Sequence, residues 1–77
     1  MNTQTFLEKL QDELEEDDAL TLDTKFKELE NYDSMSVLSL IAFIDESFDK
    51  SLDTKHFKDI STVQELKELI GSENFED

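Results

Sequence analysis

The sequence predicts an all-α domain: a small four-helix bundle with a long first loop and a short third helix. Two observations carry this. Apolar residues recur at helical spacing in three separate stretches. The 77 residues contain no proline and one glycine, Gly71, the reverse of a low-complexity or disordered chain.

The first helix is expected from about Thr5 to Glu15. Thr5 and Glu8 have capping-box spacing, and Phe6, Leu7, Leu10 and Leu14 form one apolar stripe. Glu15-Glu16-Asp17-Asp18 then opens a long connection in which like charges repel. Such a loop needs apolar anchors, and Leu20, Leu22, Phe26 and Leu29 are read as lying across the helices. A helical turn is expected within Thr24 to Glu30.

The second helix is the clearest, from Asp33 or Ser34 to about Phe48, with Asp33 as N-cap. At about 100° per residue, Val37, Leu40, Ile41, Ile44 and Phe48 gather on one face, read as core. Met35 and Ala42 fall on another side, near Ser39 and Glu46, with Leu38 at the edge. Met35 either joins a contact surface or caps one end of the core; the pattern leaves both open. A polar connection, Asp49 to Lys55, holds Leu52 as anchor, and Phe57 and Ile60 indicate a short third turn. The last helix starts at Ser61 or Thr62, each with Gln or Glu three residues on. Val63, Leu66, Leu69 and Ile70 supply its apolar side, and Gly71 sits where a C-terminal cap belongs. One domain, 1–77, is expected, with a core over about 3–71 and a frayed tail, 72–77.

Charge narrows the function classes. With 21 acidic and 7 basic residues the net charge is −14, which repels phosphates and anionic headgroups. Nucleic acid and membrane insertion are therefore excluded as expectations, and a basic protein surface is the natural partner. No apolar leader or bilayer-length run is visible, so the cytoplasm is the expected location. There is no cysteine, hence no thiolate metal site and no thiol nucleophile. The one histidine, His56, lies among lysines and is read as a solvated surface residue, so no catalytic residue is assigned. The acidic stretch Asp45 to His56 resembles a calcium loop only superficially. Its sixth position is Lys50 where glycine is needed and its twelfth is His56 where a bidentate glutamate is needed. No metal site is assigned.

What remains is Asp33-Ser34-Met35, at the head of the most amphipathic helix after a long anchored loop. A serine there is exposed, and a phosphodiester on it lies near the positive end of the helix dipole. Taken alone the tripeptide reads equally well as simple capping.

In its setting, the sequence resembles the acyl carrier protein family, whose attachment motif is Asp-Ser-Leu at the start of the second helix. Phe26-Lys27-Glu28-Leu29 resembles the family's Phe-x-x-Leu segment, and Phe48-Asp49 the Phe-Asp that closes the second helix. Ile60-Ser61-Thr62-Val63-Gln64-Glu65-Leu66 resembles the segment that opens the last helix. The resemblance implies a four-helix bundle of acyl-carrier type and a 4'-phosphopantetheine arm on Ser34, flanked by Asp33 and Met35. A phosphopantetheinyl transferase attaches the arm, whose thiol carries acyl groups as thioesters to acyl-transferring, ligating or synthase enzymes with basic docking patches. The chain itself is then not an enzyme, and is expected to be a monomer. Phe6, Leu29, Leu40, Ile41, Ile44, Phe57, Ile60 and Leu66 are candidates to line a space for the acyl chain. The implied docking face is Met35, Ser36, Leu38, Ser39, Ala42, Asp45 and Glu46. Here Ser36 and Ser39 replace acids common in fatty-acid carriers, and Glu30-Asn31-Tyr32 replaces a glycine-containing turn. These departures point to a specialised pathway beside housekeeping fatty-acid synthesis. An aminoacyl or peptidyl carrier, such as a D-alanyl carrier, shares fold and arm. A small acidic helical adaptor without a prosthetic group leaves the matching segments unexplained.

Overall fold

The computed structural model describes residues 1–76; Asp77, part of the tail expected to fray, lies outside the described residues. Among the described residues there are four α-helices and no strand: α1 (Thr3–Glu13), α2 (Ser34–Phe48), α3 (Thr54–Lys58) and α4 (Val63–Ile70). Short 3₁₀ turns occupy Phe26–Glu28 and Ser72–Asn74. The expected bundle, its long first loop and its short third helix are all present.

Each helix start has a side chain closing an otherwise free backbone N–H. At α1 the cap is Asn2, whose Oδ1 accepts from the Thr5 amide at 2.8 Å. The helix therefore begins two residues before the expected Thr5, and the Thr5–Glu8 capping box does not form. It also ends earlier, at Glu13. At α4 Thr62 and Glu65 form a reciprocal capping box: Thr62 Oγ1 accepts from the Glu65 amide at 3.2 Å, and Glu65 Oε1 from the Thr62 amide at 3.0 Å. At α3 Asp53 and His56 pair the same way, with His56 Nδ1 accepting from the Asp53 amide at 3.1 Å. His56 is exposed, as expected, and serves as part of that cap.

The long loop is folded down by polar bonds at its start and by anchors further on. Gln11 Nε2 donates to the Glu16 and Asp17 carbonyls, and Asn31 Nδ2 to the Glu15 carbonyl. Leu20 and Phe26 are buried; Leu22 and Leu29 are half-buried. The Leu22 and Thr24 carbonyls accept from the Gln64 and Val63 amides at 2.8 and 3.0 Å, so the loop satisfies the first turn of α4. That contact holds the segment ahead of Ser34 against the last helix.

The core takes Phe6 and Leu10 from α1 and Leu14 just after it, Leu40, Phe43 and Ile44 from α2, Phe57 from α3, and Val63, Leu66 and Ile70 from α4. Two expectations change. On α2 the buried strip is Ser36, Leu40, Phe43 and Ile44, while Val37, Ile41 and Phe48 are half-buried. The helix is rotated toward α1, where Phe43 stacks on Phe6 at 6.2 Å between ring centroids. The tail does not hang free either. Phe75 is buried, edge-on to Phe6 at 5.1 Å and tilted against Phe48 at 5.2 Å, with Lys67 Nζ 5.1 Å from its ring centre. The Glu76 amide donates to the Met1 carbonyl at 3.2 Å. Gly71, at φ +106°, lets the chain turn back for this packing in a conformation other residues rarely adopt.

Candidate functional site

Ser34 is the first residue of α2 and is exposed. What places it there is the cap before it. Asp33, in extended conformation, accepts from the Ser36 amide through Oδ1 at 3.0 Å. Ser36 Oγ accepts in return from the Asp33 amide at 3.2 Å. The Ser36 hydroxyl has the Asn31 carbonyl and Asp33 Oδ1 within reach as acceptors, each at 3.2 Å. The network fixes the turn Asn31–Ser36 while leaving the Ser34 hydroxyl out of it. Among the described residues none is hydrogen-bonded to that hydroxyl.

Ser36 therefore departs from its expected place. It is buried, 9% exposed, because it stands one turn before Leu40 on the strip facing the core. Its hydroxyl belongs to the cap and is not offered on the docking face. The rest of that expected face is presented to solvent: Met35 and Leu38 are 67% and 53% exposed, Ala42, Asp45 and Glu46 are exposed, and Ser39 is half-buried. The exposure of Met35 removes the core-capping alternative, since it caps no part of the core.

Two hollows flank Ser34, and they differ in character. One is a cavity of about 300 Å³ toward α3, walled by Tyr32, Val37, Thr54 and Phe57, with Lys27 and Lys58 as its charged residues and Ser34 itself at its wall. Burial pushes the Tyr32 phenol up from its ordinary pKa, so it is neutral well beyond physiological pH. The other hollow, toward α1, is lined by Glu13, Glu15, Asn31, Asp33, Met35 and Ser39, and is acidic.

Of the residues expected to line an acyl space, Phe57 walls the first cavity. Phe6, Leu40, Ile44 and Leu66 are fully buried in the packed core, Ile60 is buried, and Leu29 and Ile41 are half-buried at its edge. The reading from sequence missed Lys27, Tyr32, Thr54 and Lys58. A signal existed: four of the seven lysines fall in the short segments 25–27 and 55–58, on either side of the second helix in sequence. Among the described residues no group of three or more His, Asp or Glu side chains converges as a metal site would. No helix there is long and apolar enough to cross a membrane.

An exposed serine hydroxyl, without a hydrogen bond among the described residues, on a rigidly capped helix start and beside a largely apolar hollow that Lys27 and Lys58 help to line, suits covalent attachment of a phosphate-linked group. The family model described as the phosphopantetheine attachment site matches residues 4–70, and the chain belongs to that family of carrier domains. Its members carry a covalently attached 4'-phosphopantetheine arm and are not themselves catalysts. Comparison with curated proteins and with solved structures gave no match.

Proposed function

We propose that Ser34 bears the phosphopantetheine arm and that the protein is an acyl carrier, presenting acyl groups to partner enzymes. The observation that carries this is the Ser34 hydroxyl: solvent-exposed, free of hydrogen bonds to the described residues, and held at the first turn of α2 by the Asp33–Ser36 cap. When bound, the arm supplies the thiol this cysteine-free chain lacks, and on it acyl groups are held as thioesters. The chain's own residues position and present. Asp33 and Ser36 fix the attachment point, and the N–H groups opening α2 favour a negatively charged phosphodiester there.

Partners are a phosphopantetheinyl transferase and enzymes with basic docking surfaces. Met35, Leu38 and Ala42 offer apolar contact on α2, and Asp45 and Glu46 offer charge at its far end. With Ser36 withdrawn into the cap and Ser39 a hydroxyl, the near end of α2 carries no exposed acid beyond Asp33. That pattern supports a specialised pathway over housekeeping fatty-acid synthesis. A monomer in the cytoplasm fits the charge, which resists self-association.

The test is incubation with coenzyme A, magnesium and a broad-specificity transferase, read by intact mass. One arm is expected on the unaltered protein and none on Ser34→Ala, which should remain folded because the hydroxyl is exposed and bonds to none of the described residues. Loading of the alanine variant at another serine overturns the assignment.

A further inference from the structure

An acyl chain tethered at Ser34 lies either in the protein interior or in water, and the packing behind that serine decides which. We infer that this carrier's cargo is a short or polar acyl group held outside the protein, because three aromatic rings, Phe26, Tyr32 and Phe57, partition the attachment end from the core. The inference rests on Ser34 as the attachment point and deepens that reading by naming the class of cargo.

The partition is built from rings that meet behind the serine. Tyr32 and Phe57 wall the cavity that Ser34 borders. Phe26 packs edge-on to both, at 5.7 Å from Tyr32 and 6.4 Å from Phe57 between ring centroids. Phe26 and Phe57 are buried and Tyr32 is half-buried. Backbone elsewhere fixes each ring in place. Phe26 opens the 3₁₀ turn that follows the loop's two bonds to the Val63 and Gln64 amides. Tyr32 lies within the turn Asn31–Ser36 that the α2 cap fixes, and Phe57 lies on α3 behind the Asp53–His56 cap.

Beyond the partition the interior is filled. Leu40, Ile44, Val63, Leu66 and Ile70 have no exposed surface, so no water-sized gap borders any of these side chains. The far end of α2 is closed as well, by Phe6 against Phe43, Phe48 and Phe75 at 5.1–6.2 Å between ring centroids. An alkyl chain entering between α2 and α3 has to part Phe57 from Phe26 and displace side chains already at native density, which is destabilising. A long chain left outside keeps its methylenes in water, which is unfavourable in proportion to their number. A short or polar acyl group meets neither cost, and that is the cargo this interior suits. Phe57 is then the residue that sets cargo length, since it is the ring common to the cavity wall and the packed core.

The experiment loads the protein from acetyl- and octanoyl-coenzyme A with a broad-specificity transferase, verified by intact mass. In the unaltered protein the acetyl and octanoyl forms should melt within about 2 °C of each other. Isotope-labelled octanoyl should show no nuclear Overhauser contacts to the methyls of Leu40, Ile44 or Leu66. In Phe57→Ala the octanoyl form should melt at least about 4 °C above the acetyl form, with those contacts present. Phe57→Leu, a milder truncation, should move the same way and serves if the alanine variant does not fold. Contacts from octanoyl to the core of the unaltered protein, with a raised Tm, overturn the inference. So does an octanoyl chain that stays outside in a folded Phe57 variant, since another feature then excludes it. Failure to load at Ser34 shows as an unchanged mass and overturns the attachment reading, and the cargo inference with it.

Discussion

Replacing Phe75 with alanine tests whether the last turn belongs to the core. The ring is 7% exposed and meets Phe6 and Phe48 at centroid distances of 5.1 and 5.2 Å, and Lys67 Nζ at 5.1 Å. Truncating a buried phenylalanine costs ~3–5 kcal/mol, through lost burial and the cavity left behind. Phe75 lies near a chain end where neighbours relax, so the low end, ~3 kcal/mol, applies here. In a domain of this size each 1 kcal/mol moves Tm by ~4–8 °C, giving a fall of roughly 12–24 °C. If the tail were solvated, the same change would cost within ~0.5 kcal/mol, as surface substitutions do. Thermal melts by circular dichroism at fixed pH and ionic strength separate the two cases. Truncating Glu73 to alanine, which is exposed, is the control and should leave Tm nearly unchanged. A shift for Phe75→Ala of less than about 4 °C would refute the packing argument, since it corresponds to at most ~1 kcal/mol.

Further expectations concern the caps and the charge. Ser36→Asp should destabilise by ~1–3 kcal/mol, because its carboxylate faces the Asn31 carbonyl and Asp33 Oδ1, both acceptors, in a buried position. Ser39→Glu should cost far less, and urea titrations of both variants check the contrast. Raising ionic strength from 0.01 to 0.1 M shortens the Debye length from ~30 to ~10 Å and should raise Tm, since 21 acids face 7 bases; a constant Tm contradicts this. The Ser61 and Thr62 amides hold the Glu65 carboxyl below its usual pKa. A depressed folded-state pKa adds stability that is present above the unfolded value and lost as pH falls through the folded value. Glu65→Gln removes that titration, so its stability should fall less steeply than wild type between about pH 5 and 3. Equal slopes would show that the cap's charge is immaterial.

The helices were legible because caps and stripes are local. Asp33 before a 15-residue helix, Thr62 three residues before Glu65, and Gly71 after Ile70 each declare a boundary within a few residues of chain. The first helix shows how such a signal misleads. Thr5–Glu8 has the right spacing, but Asn2 caps from further out and begins the helix earlier. Phe43 and Phe75 were missed because their burial depends on partners distant in sequence. Both rings close on Phe6, and no periodicity within α2 or the tail encodes that meeting.

The site divides the same way. Ser34 was legible because its position is set by its own helix start. Ser36 was misplaced because homologous spacing puts it on a docking face, whereas the rotation of α2 toward α1 turns it inward and the Asn31 carbonyl engages it. Lys27 and Lys58 belong to the long loop and the short third helix, 31 positions apart, and meet only because the loop is tied to α4 by the Val63 and Gln64 amides while α3 packs beside α2. The position of Ser34 is thus a local property and its surroundings a tertiary one.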